Sequence, residues 1–314
     1  MQITERNFDT NVQMLKYKVL KGVVEHFDQG KLESAYRDIP LDIAPGPKPT
    51  MRCCVYKERA IITERIHMAM GGDRENPNAI EVLRIACDEC TVNRYHVGSA
   101  CRGCIAHRCE HACPTGAIEV RDGKARINQE KCIECGKCAT ACPYTAIMKY
   151  TRPCENACKI GAISMHRDNS AKIDNDKCIS CGACVYQCPF GAIVDKSFLL
   201  DALTLMRDSE NNTKYKVYAV VAPSISSQFS YAKTGQVVTG LRKIGFHSVI
   251  EAALGADMVA YAEAAELVEK GFLTSSCCPA FVAYIRSAFP GLADKISHNP
   301  SPMEAVARFI KQTD

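Results

Sequence analysis

Sixteen of the twenty cysteines lie between Cys87 and Cys188, and their steps of three and four residues are those of iron-sulfur ligands. Two runs of the form C-x-x-C-x-x-C-x-x-x-C-P are complete: Cys132, Cys135, Cys138 and Cys142, then Cys178, Cys181, Cys184 and Cys188. Three thiolates of such a run hold one 4Fe-4S cube and the fourth reaches a neighbouring cube, so the runs come in pairs. A repeat frames them, CPTGAI from 113, CPYTAI from 142, CKIGAI from 158 and CPFGAI from 188, which makes four half-ferredoxins in series. Cubes chained in this way carry electrons one at a time.

The other two runs are irregular. The first, Cys101, Cys104, Cys109 and Cys113, has a loop two residues longer than the standard one, and it contains His107 as an alternative ligand to Cys109. The step from Cys109 to Cys113 and its proline favours the cysteine. Crossed ligands then give one cube on Cys101, Cys104, Cys109 and Cys142, and another on Cys132, Cys135, Cys138 and Cys113. The third run keeps Cys154 and Cys158 but has Thr151 and Met148 where its first two cysteines belong. Cys158 completes the cube of Cys178, Cys181 and Cys184. Cys154 and Cys188 are left with the spare C-x-x-C pair, Cys87 and Cys90, as partners for a fourth cube. The alternative is a three-cube protein in which these four are buried thiols or bind zinc.

The elements that must position these residues divide the 314-residue chain into three expected segments. Residues 1–86 read as a helical amino-terminal region, with Phe8, Val12, Leu15, Val19 and Val23 near one face. The pattern is that of packing rather than chemistry, and APGPKP at 44–49 and GGDRENPN at 71–78 interrupt it. Residues 87–200 form an α+β, ferredoxin-like multi-cluster domain with few long periodic stretches, a region that its metal must hold. From Tyr215 onward strand alternates with helix: YKVYAVVAP, FHSVIEAAL and FLTSS as strands, with amphipathic helices between and after them. That order predicts an α/β arrangement, a parallel sheet with crossover helices and ligands at the carboxyl ends of the strands.

Composition excludes several other classes. The chain is 47% hydrophobic and 24% charged, which is ordinary globular usage. A formal charge of +4 from 39 basic and 35 acidic residues leaves no basic stripe for nucleic acid. No apolar run approaches the roughly 18 residues of a membrane span, and the first residues lack signal-peptide features. The expectation is a cytoplasmic protein whose clustered thiols hold metal rather than form disulfides.

Residues 215–314 carry a further pattern: VAPSI at 221–225, TGQVVTGLRKIGF at 234–246 and TSSCCPAF at 274–281. With the ferredoxin-like half before them, these resemble iron-only (FeFe) hydrogenases of the monomeric branch. The resemblance implies reversible oxidation of H2 to two protons and two electrons at an H-cluster, a 4Fe-4S cube joined through cysteine to a diiron unit. It makes Cys278 the first cysteine ligand of that cube and Cys277 the thiol that passes protons. Glu263, Ser297 and Glu266 extend the proton path, and Pro223 with Ser224 line the pocket for the cyanide of the diiron unit. Taken alone, Glu263 and Glu266 would be a solvated helix face, Ser297 a loop serine and a Cys-Cys pair a buried hydrophobe. Cys53 and Cys54 are such a pair, with no role assigned.

The family's second and third active-site signatures, which supply the other three cysteine ligands, are absent from these residues. The expectations are therefore a longer reading frame, a second chain that completes the site, or a polyferredoxin-like electron carrier without catalysis. A redox partner such as ferredoxin is expected in each case.

Overall fold

A computed structural model describes residues 8–90, 94–166, 168–229 and 231–313. The expected helical stretch at 1–45 thus begins partly outside the described residues. The chain forms two compact units. One comprises Met1–Glu81, Asn175–Cys181 and Val194–Asp314, and the other comprises Val82–Asp174 and Gly182–Ile193.

In the first unit, Thr10 caps the helix Asn11–Asp28 by accepting a bond from Gln13 N at 3.2 Å. Leu15, Val19 and Val23 are buried from this helix, as their three- and four-residue spacing predicts. They pack with Ile39 of the helix Ala35–Ile43 and with Ile62 and Ile66 of the helix Val55–Ala69. The buried Glu58 carboxylate accepts the backbone N–H groups of Thr50 at 2.6 Å and Arg52 at 2.9 Å, and that of Met51. It thereby satisfies a loop that no regular structure serves. Cys54 caps the helix Val55–Ala69, its Sγ accepting from Lys57 N at 3.4 Å, and Cys53 is exposed.

Farther along the same unit, Tyr218–Val221 and Ser248–Glu251 pair in parallel, with Ser248 opposite Tyr218 and Glu251 opposite Val221. The amphipathic helix Thr234–Ile244 lies between them in sequence as the crossover. The expected third strand, FLTSS, is reduced to one parallel bridge between Thr274 and Ile296, because its partner is the end of a 3-10 turn rather than a strand. The helices Ala252–Lys270 and Pro302–Thr313 pack closely at Gly255, where a Cβ would stand 2.1 Å from the Pro302 carbonyl oxygen. Among the described residues no helix is long and apolar enough to cross a membrane.

The second unit repeats one small motif, a helix of four or five residues carrying a buried cysteine and followed by a strand. The helices are Arg108–His111 with Cys109, Lys137–Ala141 with Cys138, Pro153–Ala157 with Cys154 and Ala183–Gln187 with Cys184. Antiparallel pairs join Ile118–Arg121 to Lys124–Ile127, Arg94–Val97 to Ile147–Tyr150, and Ile163–Met165 to Ala171–Ile173. The buried core is small and contains thiols: Cys109, Ile118, Ala125, Cys138 and Ile147. So little apolar volume makes folding depend on what the thiols bind.

Candidate metal centres and proton path

The C-x-x-x-A repeat has one local geometry in all four copies. Gly116, Gly161 and Gly191 adopt left-handed φ angles of 60°, 64° and 57°, and Thr145 takes the same place at 50°. The turn aims the next amide at the cysteine four residues earlier. Ala117 N donates to Cys113 Sγ at 3.2 Å, Ala146 N to Cys142 at 3.4 Å, Ala162 N to Cys158 at 3.2 Å and Ala192 N to Cys188 at 3.2 Å. Such donors favour the thiolate, the form that ligates iron, so the sulfur set fits iron-sulfur cubes. At Cys113 burial works the other way, but the Thr115 hydroxyl and the backbone amides outweigh it and lower the pKa.

Cys101, Cys104, Cys109 and Cys142 wall a single cavity beside Val120, Ala125 and Ile147. Cys109 is shifted up by burial and then by Cys142 and Cys104, and Cys138 by burial and then by Cys132 and Cys113. The fourth cysteine of each run therefore stands with the helix cysteine of the other. His107 Nδ1 lies 2.6 Å from Glu110 Oε2. Among the described residues no three metal-ligating side chains surround a point suited to one ion, and these thiols ring a space instead.

A third gathering joins distant parts of the second unit. Burial, followed by the neighbouring Cys188 and Cys87 thiols, pushes Cys154 up to about 12. Leu83 N donates to the Ala192 oxygen at 2.7 Å, and Ala171 N to Cys87 Sγ at 3.3 Å. The segment before the first cysteine run is thereby carried to the last one. Cys90, in the same unit, is partly buried. Of the remaining set, Cys178 and Cys181 belong to the first unit and Cys158 and Cys184 to the second.

Loop and hairpin meet at Gly103, whose φ is 55° and whose added Cβ would stand 2.2 Å from the Gly123 oxygen. Gly103→Ala is expected to force the Cys101–Cys104 loop away from the hairpin amide of Ala125, which donates to Cys101 Sγ at 3.3 Å. Overpacking of this kind costs about 1–3 kcal/mol. Iron analysis and thermal melts of the reconstituted protein should both fall, and wild-type values in both would refute this account of the loop.

In the first unit Cys278 is the N-cap of the helix Pro279–Ala288, and Cys277 and Cys278 are both exposed. Cys277 N donates to Ser275 Oγ at 3.3 Å, and Ser275 Oγ donates to Glu263 Oε1 at 3.1 Å. Ser276 Oγ donates to the Asn299 carbonyl at 2.8 Å. Asn299 Nδ2 and Ser297 Oγ reach Glu266 Oε2 at 2.8 and 3.0 Å. Lys270 Nζ donates to Glu266 Oε1 at 2.7 Å, and His298 Nδ1 is 3.1 Å from the same oxygen. The Lys270 ammonium first, then His298 and Ser297, hold the Glu266 carboxyl down at about 2 against its desolvation. Glu263 and Glu266, both on the helix Ala252–Lys270, thus meet the backbone of Cys277 and Ser297 on two loops, which are tied by Ser297 N to the Thr274 oxygen at 2.8 Å.

Pro223 and Ser224 follow the first parallel strand at its carboxyl end, where Ser224 precedes the short helix Ile225–Gln228. Sequence reasoning missed Lys270, Ser275, Ser276, His298 and Asn299. Lys270 had a signal, standing four residues after Glu266 on one helix. The loop residues had none.

Residues 215–314 match the family model described as iron only hydrogenase large subunit, C-terminal domain. Residues 100–146 match a 4Fe-4S dicluster domain and residues 171–194 a 4Fe-4S binding domain. Iron hydrogenase 1 of Clostridium pasteurianum is 30% identical over 207 residues, 60% of this chain and 34% of that protein. An uncharacterized ferredoxin of Methanocaldococcus jannaschii is 42% identical over 53 residues, 17% of this chain and 32% of its own length. The electron transport protein HydN of Escherichia coli K12 is 42% identical over 55 residues, 18% of this chain and 31% of its own. The chain spans about a third of the length of each of these relatives.

Proposed function

We propose that this chain, which matches the iron only hydrogenase C-terminal domain over residues 215–314 and 4Fe-4S domains over 100–146 and 171–194, relays single electrons through several 4Fe-4S clusters to or from a site of reversible H2 oxidation. Four cubes make up the relay. Their ligands are Cys101, Cys104, Cys109 and Cys142; Cys132, Cys135, Cys138 and Cys113; Cys178, Cys181, Cys184 and Cys158; and Cys87, Cys90, Cys154 and Cys188. Cys278 is the first cysteine ligand of an H-cluster whose remaining ligands lie outside these residues, and Pro223 and Ser224 line its pocket. When bound, that cofactor supplies the metal at which hydrogen is split or formed.

Proton traffic is the work of this chain's own residues. Cys277 would hold and pass a proton beside the cofactor, since a thiol can both give and take one. Ser275 and Glu263 lie next on the path, and Ser297 and Glu266 carry it onward. Lys270 first, then His298 and Ser297, hold Glu266 ionised at neutral pH. The observation that carries the reading is this hydrogen-bonded constellation around TSSCCPAF, for which a pure electron carrier has no use. A carrier without catalysis is the second reading, favoured by the ferredoxin and HydN relatives. The compartment is the cytoplasm and the partner a one-electron carrier such as ferredoxin.

Two measurements test the proposal. Anaerobically reconstituted chain should hold about sixteen irons, whereas about twelve would mean three cubes. Joined to segments that carry the family's second and third signatures and matured, it should reduce a viologen dye under H2. Full cube occupancy and CO and cyanide infrared bands with no dye reduction would leave only the carrier.

A further inference from the structure

Arg152 is 3% exposed, although a guanidinium is never deprotonated in a protein and accepts no hydrogen bonds. It is the N-cap of the helix Pro153–Ala157 and so immediately precedes the helix turn that carries Cys154. Its Nη1 donates to Cys87 Sγ at 3.9 Å, and the same sulfur accepts from Ala171 N. Cys87 and Cys154 are themselves 8% and 6% exposed. A buried cation is costly unless negative charge stands beside it. Glu155 supplies part of that charge, and a cube held by thiolates beside Cys87 would add to it.

We infer that Arg152 raises the reduction potential of the cube held by Cys87, Cys90, Cys154 and Cys188. The inference rests on the four-cube reading above. A thiolate-held cube gains one negative charge when reduced, so a fixed cation beside a ligand sulfur stabilises the reduced form more than the oxidised one. Burial strengthens the effect, because solvent screens it little. The donors on Cys87 act in the same direction by withdrawing charge from the sulfur. Glu155, the nearest carboxylate in sequence, also feels Arg152 and partly offsets it.

The test is a redox titration of the anaerobically reconstituted full chain, followed by electron paramagnetic resonance, with iron counted on the same samples. Arg152→Met should keep about sixteen irons and lower the midpoint potential of one cluster, with the others unmoved. Arg152→Lys, which restores a cation, should return that potential most of the way. Full iron with unmoved potentials in Arg152→Met overturns the inference and leaves the fourth cube standing. Iron loss confined to Arg152→Met gives Arg152 a role in assembly and also overturns it. About twelve irons in the unmodified chain would remove the cube itself, a failure of the underlying reading that is distinguishable from the other two.

Discussion

Cys278→Ala abolishes the infrared bands of bound CO and cyanide, whereas Cys277→Ala keeps the bands and loses on the order of 10²–10⁴-fold in hydrogen turnover. Both results are expected in a holoprotein in which the remaining H-cluster ligands are supplied. The neighbours differ because their backbone settings differ. Cys278 is the extended N-cap residue ahead of Pro279, so its position is fixed by the start of a ten-residue helix, as a ligand's must be. Cys277 belongs to the preceding loop, tied through Ser275 to Glu263. Loss of a ligand removes the cofactor, while loss of a proton donor leaves the metal in place with nothing to exchange protons within reach. Retention of full turnover in Cys277→Ala, or of normal bands in Cys278→Ala, would show that the roles are misassigned.

Cys138→Ser is expected to remove about four irons and to collapse much of the second unit. Cys138 is 7% exposed and sits in a core with Cys109, Ile118, Ala125 and Ile147, in which no large aromatic side chain among the described residues is fully buried. A serine hydroxyl there neither ligates iron as thiolate does nor packs as sulfur does. Ligand binding and folding are one equilibrium in such a unit. The checks are iron content and resistance to proteolysis after anaerobic reconstitution, with Cys53→Ser as the control that keeps both. Wild-type iron and protease resistance in Cys138→Ser would reassign the cube.

Much of this was legible in the chain, and what was legible is local. The three-residue step of Cys132, Cys135 and Cys138 already specifies a cluster loop, because a short loop brings its own sulfurs around one cube. The glycines of the repeat already specify the left-handed turn that aims Ala117, Ala162 and Ala192 at sulfur, because only backbone freedom within one turn is involved. Leu15, Val19 and Val23 likewise declare their face by helical spacing alone.

What joins residues far apart in the chain was decided by the fold. Sequence arithmetic could pair Cys87 and Cys90 with Cys154 and Cys188 only by elimination, with buried thiols or zinc as the alternative, whereas a bond between Leu83 and Ala192, over a hundred residues apart, brings Cys87 to Cys154 and Cys188. The spacing Glu263–Glu266 reads equally as a solvated face. It becomes a constellation only because loop 295–299 folds onto loop 274–278, bringing Ser297, His298 and Asn299 to one carboxylate. Arg152 reads as one basic residue among 39, and only the fold buries it against Cys87 Sγ, the contact on which the proposed tuning rests. Short-range steps and turns are written in residue order because local backbone geometry alone enforces them. Burial and the pairing of distant side chains depend on the packed chain as a whole, and no single stretch of residues encodes them.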